Sequence, residues 1–200
     1  MKTAIYGGSF NPPHKGHVSV ARAVLEELKP ERFLIVPDRI PPHKELPVNA
    51  PTPEDRLEMC KMAFGSLPGV EISDLELLRE GKSYTIDTLT RVHSLYPEDE
   101  LILAVGSDNL LTFEAWRQFR EILALCTIAG VSREKDEWEE LENYASYLRT
   151  AYGAKVVILK KEPLVVSSTE IREKLKEGKP SDFIPESVMT YIHEHNLYRE

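Results

Sequence analysis

Residues 3–17 read TAIYGGSFNPPHKGH and combine a short apolar strand pattern, a glycine-rich turn and the beginning of a helix. The strand pattern covers residues 3–6, and the helical pattern begins near His17. Backbone amides in a glycine-rich turn can approach a phosphate closely, and the helix N-terminus behind the turn carries partial positive charge. The stretch has neither the GxGxxG pattern of a dinucleotide-binding turn nor the Gly-Lys-Ser/Thr ending of a Walker loop. It therefore predicts an anion site of a different type, directly after the first strand.

Two histidines, His14 and His17, lie three residues apart at the start of this helix. Residues at that spacing share one helix face, so both imidazoles are expected to face the same anionic site. A lone histidine near a helix start is usually structural or solvated. The pairing, together with a second motif described below, favours the functional interpretation.

The remaining chain alternates strand and helix patterns, which is typical of a parallel sheet flanked by helices. Further apolar strand runs are predicted at residues 33–36, 70–75, 101–105, 126–131 and 156–159. The helices are predicted over residues 18–28, 53–65, 85–95, 113–125, 138–152, 168–176 and 185–195. The sequence thus predicts one α/β domain over residues 1–200, built on a doubly wound parallel sheet.

Ligands of doubly wound sheets bind at the carboxyl ends of the strands, where the strand order reverses. Three polar motifs follow apolar strand runs in this chain: the turn at Gly7, the segment Gly106–Asp108 and the pair Ser167–Ser168. We therefore expect the three motifs to meet in one cleft. The proline-rich residues 38–53 predict a surface loop, because proline removes amide donors and blocks helix formation.

Composition narrows the classes of partner. The chain has 33 acidic and 25 basic residues, giving a formal net charge of −8, whereas bulk nucleic-acid binding favours basic surfaces. No apolar run approaches the ~18 residues of a membrane span, and the first residues do not resemble a signal peptide. Cys60 and Cys126 form no CxxC pair and are predicted to be buried apolar residues in a reducing compartment. We expect a cytoplasmic protein that binds neither nucleic acid nor membrane.

Two motifs at opposite ends of the chain resemble those of the nucleotidylyltransferase superfamily. The first is HxGH at residues 14–17, preceded by GGSFNP, and the second is VSSTEIR at residues 166–172. Over essentially its whole length the chain resembles the bacterial nicotinate-nucleotide adenylyltransferases. The stretches that carry this closer match are PPHK at 41–44, RLEM at 56–59, SYTIDTL at 83–89, GSDNL at 106–110 and Trp116. The resemblance implies a Rossmann-like nucleotidylyltransferase fold.

The resemblance implies transfer of AMP from ATP to nicotinate mononucleotide, yielding nicotinate adenine dinucleotide and pyrophosphate. It assigns catalytic roles to His14, His17 and Arg172, which would neutralise charge on the phosphates. The acceptor phosphate is already a nucleophile, so alignment and charge neutralisation are the tasks that remain. The implied cofactor is Mg²⁺, bound mainly through ATP phosphates rather than protein ligands. The implied ATP-binding residues are Gly7, Gly8, Ser9, Phe10, Gly16, Gly106, Asp108, Ser167, Ser168 and Thr169.

For the acceptor, the resemblance implies contacts from Lys44, Thr85, Trp116, Arg117 and Arg133. Trp116 would stack on the pyridine ring, and the helix start at Thr85 would bind the nicotinate carboxylate. The sequence departs from the family pattern at two of these positions. Arg117 occupies a position where many relatives have an aromatic residue, and Arg133 is followed by acidic and basic residues instead of a glycine or proline turn.

Most of these residues also have a structural interpretation. Trp116 could pack in the core with Phe113 and Phe119, and Arg172 could be an arginine on a helix surface. Helix capping is the corresponding alternative for Thr85, Asp108 and Ser167–Thr169. His43 and Lys44 could be solvated loop residues.

Other functions remain open at the level of sequence. The closest alternative acceptor is nicotinamide mononucleotide, followed by other phosphorylated acceptors such as phosphopantetheine. A non-catalytic nucleotide sensor on the same fold is an alternative from a different class, because fold does not fix function. The sequence also leaves a homo-oligomer open.

Overall fold

The computed structural model describes residues 1–42, 50–132, 136–161 and 164–199. The strands in chain order are β1 (Lys2–Gly8), β2 (Arg32–Pro37), β3 (Val70–Ile72), β4 (Glu100–Gly106), β5 (Cys126–Val131) and β6 (Val156–Ile158). They form a six-stranded sheet in the order β3-β2-β1-β4-β5-β6, and every neighbouring pair is parallel. The predicted doubly wound parallel sheet is therefore confirmed.

Helices lie between successive strands of the chain, as the crossover connections of a parallel sheet require. They are α1 (Lys15–Leu28), α2 (Pro53–Phe64), α3 (Thr85–Leu95), α4 (Ser107–Leu111), α5 (Phe119–Leu125), α6 (Trp138–Tyr152), α7 (Ser168–Lys176) and α8 (Glu186–Glu194). The helix α1 begins at Lys15, three residues before the predicted start, and α4 was not predicted. Clear local signals explain the bounds of α2: Thr52 caps it by accepting the amide of Asp55, and Pro53 occupies the first helical position, as proline prefers. Gly153 ends α6 in the left-handed conformation, which glycine adopts without steric cost.

The predicted continuous helix over residues 113–125 is wrong. A short 3₁₀ helix covers Phe113–Ala115, Trp116 is extended, and Gln118 has a φ of 54° before α5 begins. The apolar spacing in this stretch is helical, but its aromatic residues pack in different places. Phe113 is fully buried, whereas Trp116 turns toward a cleft that it lines. Tertiary packing thus overrides local periodicity here.

The sheet separates two apolar cores, because successive strand residues point to opposite faces. On one face Ala4, Tyr6 and Ile35 pack with α1, α2, α7 and α8, and on the other Ile5 and Leu103 pack with α3, α5 and α6. Cys60 and Cys126 are free and buried, one in each core, which confirms the interpretation of both as apolar residues. Burial raises the pKa of Cys126 to about 12.

The strand order reverses between β1 and β4, which are hydrogen-bonded neighbours with Ile5 opposite Leu103. At this point the chain leaves the two strands toward opposite sides of the sheet, which opens a crevice at their carboxyl ends. Gly8 and Gly106 end these strands, so both predicted motifs lie at the crevice. None of the described helices is long and apolar enough to cross a membrane.

Candidate active site

A cleft of about 580 Å³ opens at the carboxyl ends of β1 and β4, a volume typical of small-ligand sites. The cleft brings together the motifs that the sequence places far apart. Its lining includes every described residue of the predicted site: Gly7, Gly8, Ser9, Phe10, His14, Gly16, His17, Thr85, Gly106, Asp108, Trp116, Arg117, Ser167, Ser168, Thr169 and Arg172. The predicted roles of His43, Lys44 and Arg133 concern positions outside the described residues.

The two histidines form a stacked pair at the start of α1. Their ring centroids are 3.7 Å apart, with an interplanar angle of 24°. Each ring caps the helix for the other residue: Nδ1 of His14 accepts the amide of His17 at 3.3 Å, and Nδ1 of His17 accepts the amide of His14 at 3.2 Å. This reciprocal capping uses two amides that the helix itself leaves without acceptors.

The capping bonds decide which ring nitrogen carries the proton. A nitrogen that accepts an amide hydrogen bond has a free lone pair, so in both neutral rings the proton is on Nε2. The Nε2 of His14 lies 2.9 Å from the Ser168 hydroxyl of α7. The fold therefore fixes both imidazoles as Nε2–H donors, which is the form that can bind a phosphate oxygen.

Gly16 makes the packing of this histidine pair possible. A Cβ at this position would lie 3.0 Å from the His14 ring and 3.2 Å from the side chain of Val166. Such contacts are tighter than ordinary van der Waals packing. Gly16 thus lets α1 approach the segment before α7, and the two helix starts converge on one side of the cleft.

The start of α7 supplies hydroxyl and guanidinium donors. Ser167 is the helix cap and accepts the amide of Glu170 at 3.3 Å, so the capping interpretation holds for Ser167. Arg172, one turn later, donates to the Asn11 carbonyl at 3.0 Å and to the Thr169 hydroxyl at 3.1 Å. These bonds hold the planar guanidinium at the lining of the cleft, where it can bind phosphate oxygens in a bidentate way.

The turn after β1 contains a residue in an unfavourable conformation. Phe10 has a φ of 44°, which costs on the order of 1–3 kcal/mol for a bulky residue. Its ring is 2% exposed and packs edge-on against Tyr6, His17 and Phe64 at centroid distances of 5.4, 5.1 and 5.6 Å. Burial of the ring offsets the backbone strain and places an apolar support beneath His17.

A buried ion pair fixes the same turn from below. Arg56 is fully buried and donates to the Asp38 carboxylate at 2.9 Å and to the Ser9 carbonyl at 2.7 Å. The other Asp38 oxygen accepts the Ser9 hydroxyl at 2.7 Å. This role of Arg56 was not predicted from the sequence. The sequence nevertheless contains a signal for it. Arg56 lies on the buried face of α2 with Met59, Cys60 and Ala63, where an arginine is unexpected.

The end of the cleft on the side of the second core is lined by the start of α3 and by the 116–117 turn. Thr85 is the first residue of α3, and Tyr84, which precedes it, provides no side-chain cap within the described structure. The guanidinium of Arg117 lies 4.6 Å from the centre of the Tyr84 ring, a cation–π distance. A helix N-terminus and a cation therefore lie side by side, which makes this end suited to an anion.

Trp116 lines this end of the cleft and is only partly buried. Its ring lies 5.0 Å from Phe113, at an angle of 30°. Phe113 is a buried core residue, whereas Trp116 lies between the core and the cleft. The ring of Trp116 thus packs partly on the protein, while its side chain also lines the cleft. Stacking of Trp116 on the acceptor ring stays a prediction.

Glu114 connects this turn to α6. Its carboxylate accepts the hydroxyls of Tyr144, Tyr147 and Tyr152 at 3.2, 3.2 and 2.5 Å. The hydrogen bond from Tyr152 is the main cause of a lowered Glu114 pKa, and burial together with Glu114 raises the pKa of Tyr144 to about 12. The 3₁₀ helix that precedes Trp116 is thus held against a long helix from another part of the chain.

A buried carboxyl, Glu76, also lines the cleft near α3. It is 7% exposed and accepts the Thr88 hydroxyl at 2.5 Å. Burial raises its pKa, against the opposing effect of the Thr88 hydrogen bond. No group of three or more His, Cys, Asp or Glu side chains among the described residues is placed to hold a metal ion.

Comparison with known proteins identifies the family. The cytidylyltransferase-like family model matches residues 5–174. A protein of Carboxydothermus hydrogenoformans named "Probable nicotinate-nucleotide adenylyltransferase" is 37% identical over 199 residues, covering 99% of this chain and 98% of that protein. The "Nicotinate-nucleotide adenylyltransferase" of Bacillus subtilis is 34% identical over 200 residues, covering 98% of each. The chain belongs to the nicotinate-nucleotide adenylyltransferase family.

A solved structure supports the fold of this family member. The Plasmodium falciparum nicotinic acid mononucleotide adenylyltransferase complexed with NaAD superposes with a TM-score of 0.78 at 20% identity, covering 98% of this chain and 97% of that chain. At this identity the likeness concerns the fold alone. It confirms the Rossmann-like nucleotidylyltransferase architecture over nearly the whole chain.

Proposed function

We propose that this adenylyltransferase family member transfers AMP from ATP to nicotinate mononucleotide and releases pyrophosphate. The observation that carries the proposal is the composition of the cleft at the switch point. One end holds the HxGH histidines and Arg172, which suit a triphosphate. The other end holds Thr85, Trp116 and Arg117, which suit a flat ring with a negative charge.

The chemistry needs no protein nucleophile. A phosphate oxygen of the acceptor attacks the α-phosphorus of ATP, forming a new P–O bond. The bond from the α-phosphorus to the bridging oxygen breaks, and its electrons leave with pyrophosphate. The protein contributes alignment of two anions and donors at the oxygens where charge accumulates.

The histidine pair supplies these donors at the α-phosphate. The reciprocal capping bonds hold both rings with Nε2–H available, so little reorganisation is needed during the reaction. An arriving phosphate oxygen would replace the Ser168 hydroxyl as the partner of His14, and Ser168 would turn to the same phosphates.

Arg172 and the N-terminus of α7 act on the leaving group in this proposal. The guanidinium gives two parallel donors for β- and γ-phosphate oxygens, and the helix start adds partial positive charge. The substrate on this side is Mg-ATP. Mg²⁺ keeps much of its water shell and binds mainly through phosphate oxygens, where it would add charge neutralisation to that from the side chains.

In this proposal the acceptor end favours the acid over the amide. The carboxylate of nicotinate would meet the free amides of the first turn of α3 and the Thr85 hydroxyl, with Arg117 adjacent. A neutral amide gains less from these donors. The aromatic ring of the acceptor would stack on Trp116.

The proposal is tested by measuring pyrophosphate release. We expect release only when both Mg-ATP and nicotinate mononucleotide are present, with nicotinate adenine dinucleotide as the second product. ATP binding without pyrophosphate release would favour the nucleotide sensor, because a sensor needs no stabilisation of the transition state. Release with a different phosphorylated acceptor alone would keep the chemistry and change the substrate.

Replacing Trp116 with alanine is expected to raise the KM for nicotinate mononucleotide by about ten- to 100-fold, because a stacking partner of the ring is lost. The KM for ATP should change far less. Phe119→Ala is the matched control, because Phe119 is a partly buried aromatic residue of the same region that does not line the cleft. Equal effects of Trp116→Ala on both substrates, together with a lowered Tm, would show that Trp116 serves the core alone.

A further inference from the structure

The C-terminal segment, residues 181–199, contacts the catalytic turn at two places. The Phe183 carbonyl accepts the amide of Lys15, the first residue of α1, at 2.7 Å. The hydroxyl of Tyr198 donates to the side-chain oxygen of Asn11 at 2.6 Å. The two contacts lie on either side of His14. The family model ends at residue 174, so the segment that makes them lies beyond the matched range.

The bond between Tyr198 and Asn11 is buried. Tyr198 is 7% exposed and Asn11 is 6% exposed. Burial raises the pKa of Tyr198 well above its ordinary value, so the hydroxyl stays protonated and keeps its role as donor. A buried acceptor that loses its donor costs more than the bond itself contributes, so Asn11 depends on this hydroxyl.

The chain adopts two unusual conformations to bring Tyr198 to this place. Asn196 and Tyr198 have φ values of 52° and 63°, in the left-handed region that side chains other than glycine rarely adopt. They turn the chain back after α8, and the Leu197 amide bonds to the Ile192 carbonyl at 3.0 Å. Tyr198 then joins the same apolar core as Phe10, Met59 and Phe64. Burial of Tyr198 offsets the strain, and its hydroxyl is bonded to Asn11 of the turn after β1.

Asn11 connects Tyr198 to the cleft through Arg172. Its backbone carbonyl accepts Nη1 of Arg172 at 3.0 Å, and the residue itself lines the cleft. Tyr198 and Arg172 thus hold the same residue, one through its side chain and the other through its backbone. A shift of Asn11 would move the acceptor that orients the guanidinium.

We propose that Tyr198 is a positioning residue of the ATP site, because its hydroxyl fixes Asn11 and Asn11 orients the guanidinium of Arg172. The proposal rests on the proposed function in so far as Arg172 binds the phosphates of ATP. The C-terminal segment is then part of the ATP site, although none of its residues after 181 lines the cleft.

The test compares Tyr198→Phe with Tyr191→Phe. Tyr191 is a matched control, because its hydroxyl also donates to a side-chain oxygen, that of Asp55 at 3.0 Å, and it lies in the preceding helix away from the cleft. We expect Tyr198→Phe to raise the KM for Mg-ATP by about five- to tenfold, the effect of one unsatisfied buried group. The KM for nicotinate mononucleotide and both constants of Tyr191→Phe should stay within about twofold of wild type.

A double-mutant cycle separates positioning from stability. If Tyr198 acts through Arg172, adding Tyr198→Phe to Arg172→Ala should change the affinity for Mg-ATP by less than about twofold. Asn11→Ala removes the same bond while keeping the Tyr198 ring in the C-terminal core, and should reproduce the effect if Tyr198→Phe folds poorly. Calorimetric titration of Mg-ATP gives the affinity without turnover, so the cycle remains decisive even if no adenylyl transfer is found.

The proposal is overturned by any of three results. The first is a Tyr198→Phe protein with wild-type affinity for Mg-ATP. The second is a loss that remains undiminished in the Arg172→Ala background, because the effect would then be independent of the guanidinium. The third is an equal loss for both substrates that follows the fall in Tm, which would indicate a role in core stability alone.

Discussion

His17→Ala is expected to lower kcat by about 10²- to 10³-fold, while the KM values of both substrates change by only a few-fold. The Nε2–H of His17 is aimed by two constraints, the amide of His14 at its Nδ1 and the edge of the Phe10 ring. A donor held in this way stabilises charge that appears mainly in the transition state. Its removal therefore affects turnover more than binding.

Steady-state kinetics with both substrates varied gives the two KM values and kcat. His93→Ala is the control, because His93 is an exposed histidine of α3 that does not line the cleft, and it should leave all constants unchanged. Circular dichroism must show that His17→Ala is folded, since the variant also loses one capping bond. A folded variant with nearly normal turnover would remove His17 from the proposed role.

Arg56→Met is expected to lower the free energy of unfolding by about 3–5 kcal/mol, the cost of breaking a buried ion pair from one side. The Asp38 carboxylate would lose its guanidinium partner and be left with only the Ser9 hydroxyl as a described hydrogen-bond partner. The carbonyls of Ser9, Asp38 and Arg39 would lose their guanidinium donor. Methionine fills much of the same volume, so the loss reports on charge and hydrogen bonding more than on a cavity.

Urea denaturation measures this loss as a lower midpoint with an unchanged slope. Lys61→Met is the matched control on the same helix, because Lys61 forms an exposed ion pair with Glu58 at 2.5 Å. Exposed pairs contribute at most about 1 kcal/mol. Equal stability of Arg56→Met and Lys61→Met would contradict the structural importance assigned to the buried pair.

The sequence predicted those parts of the fold that depend on local signals. Residues 85–95 and 138–152 were predicted as helices with the bounds that the structure has, because strong apolar periodicity and, for α6, a glycine end mark them. The crevice was predictable because glycine turns follow two strands that neighbour each other in this strand order. The break at Trp116–Gln118 was not predictable, because it results from packing of Phe113 and Trp116 in different places.

The site was predictable where residues are close together in a motif. The spacing of His14 and His17 predicts that they share a helix face, and Ser167 and Arg172 were identified through the resemblance of their motif to that of a known family. Contacts between distant residues leave no such signal. Tyr198 lies 187 residues after Asn11, and its contact depends on a turn made by two left-handed residues that are not glycine.

Relative catalytic efficiency with nicotinate and nicotinamide mononucleotide tests the central claim most directly. The measurement is the initial rate of pyrophosphate release with saturating Mg-ATP and each acceptor varied in turn. The proposed pocket at Thr85 and Arg117 predicts a kcat/KM at least about tenfold higher for the acid, the effect of one charge-assisted interaction. Equal efficiency with the two acceptors would contradict carboxylate recognition at the start of α3, and no release with either would contradict the proposed reaction itself.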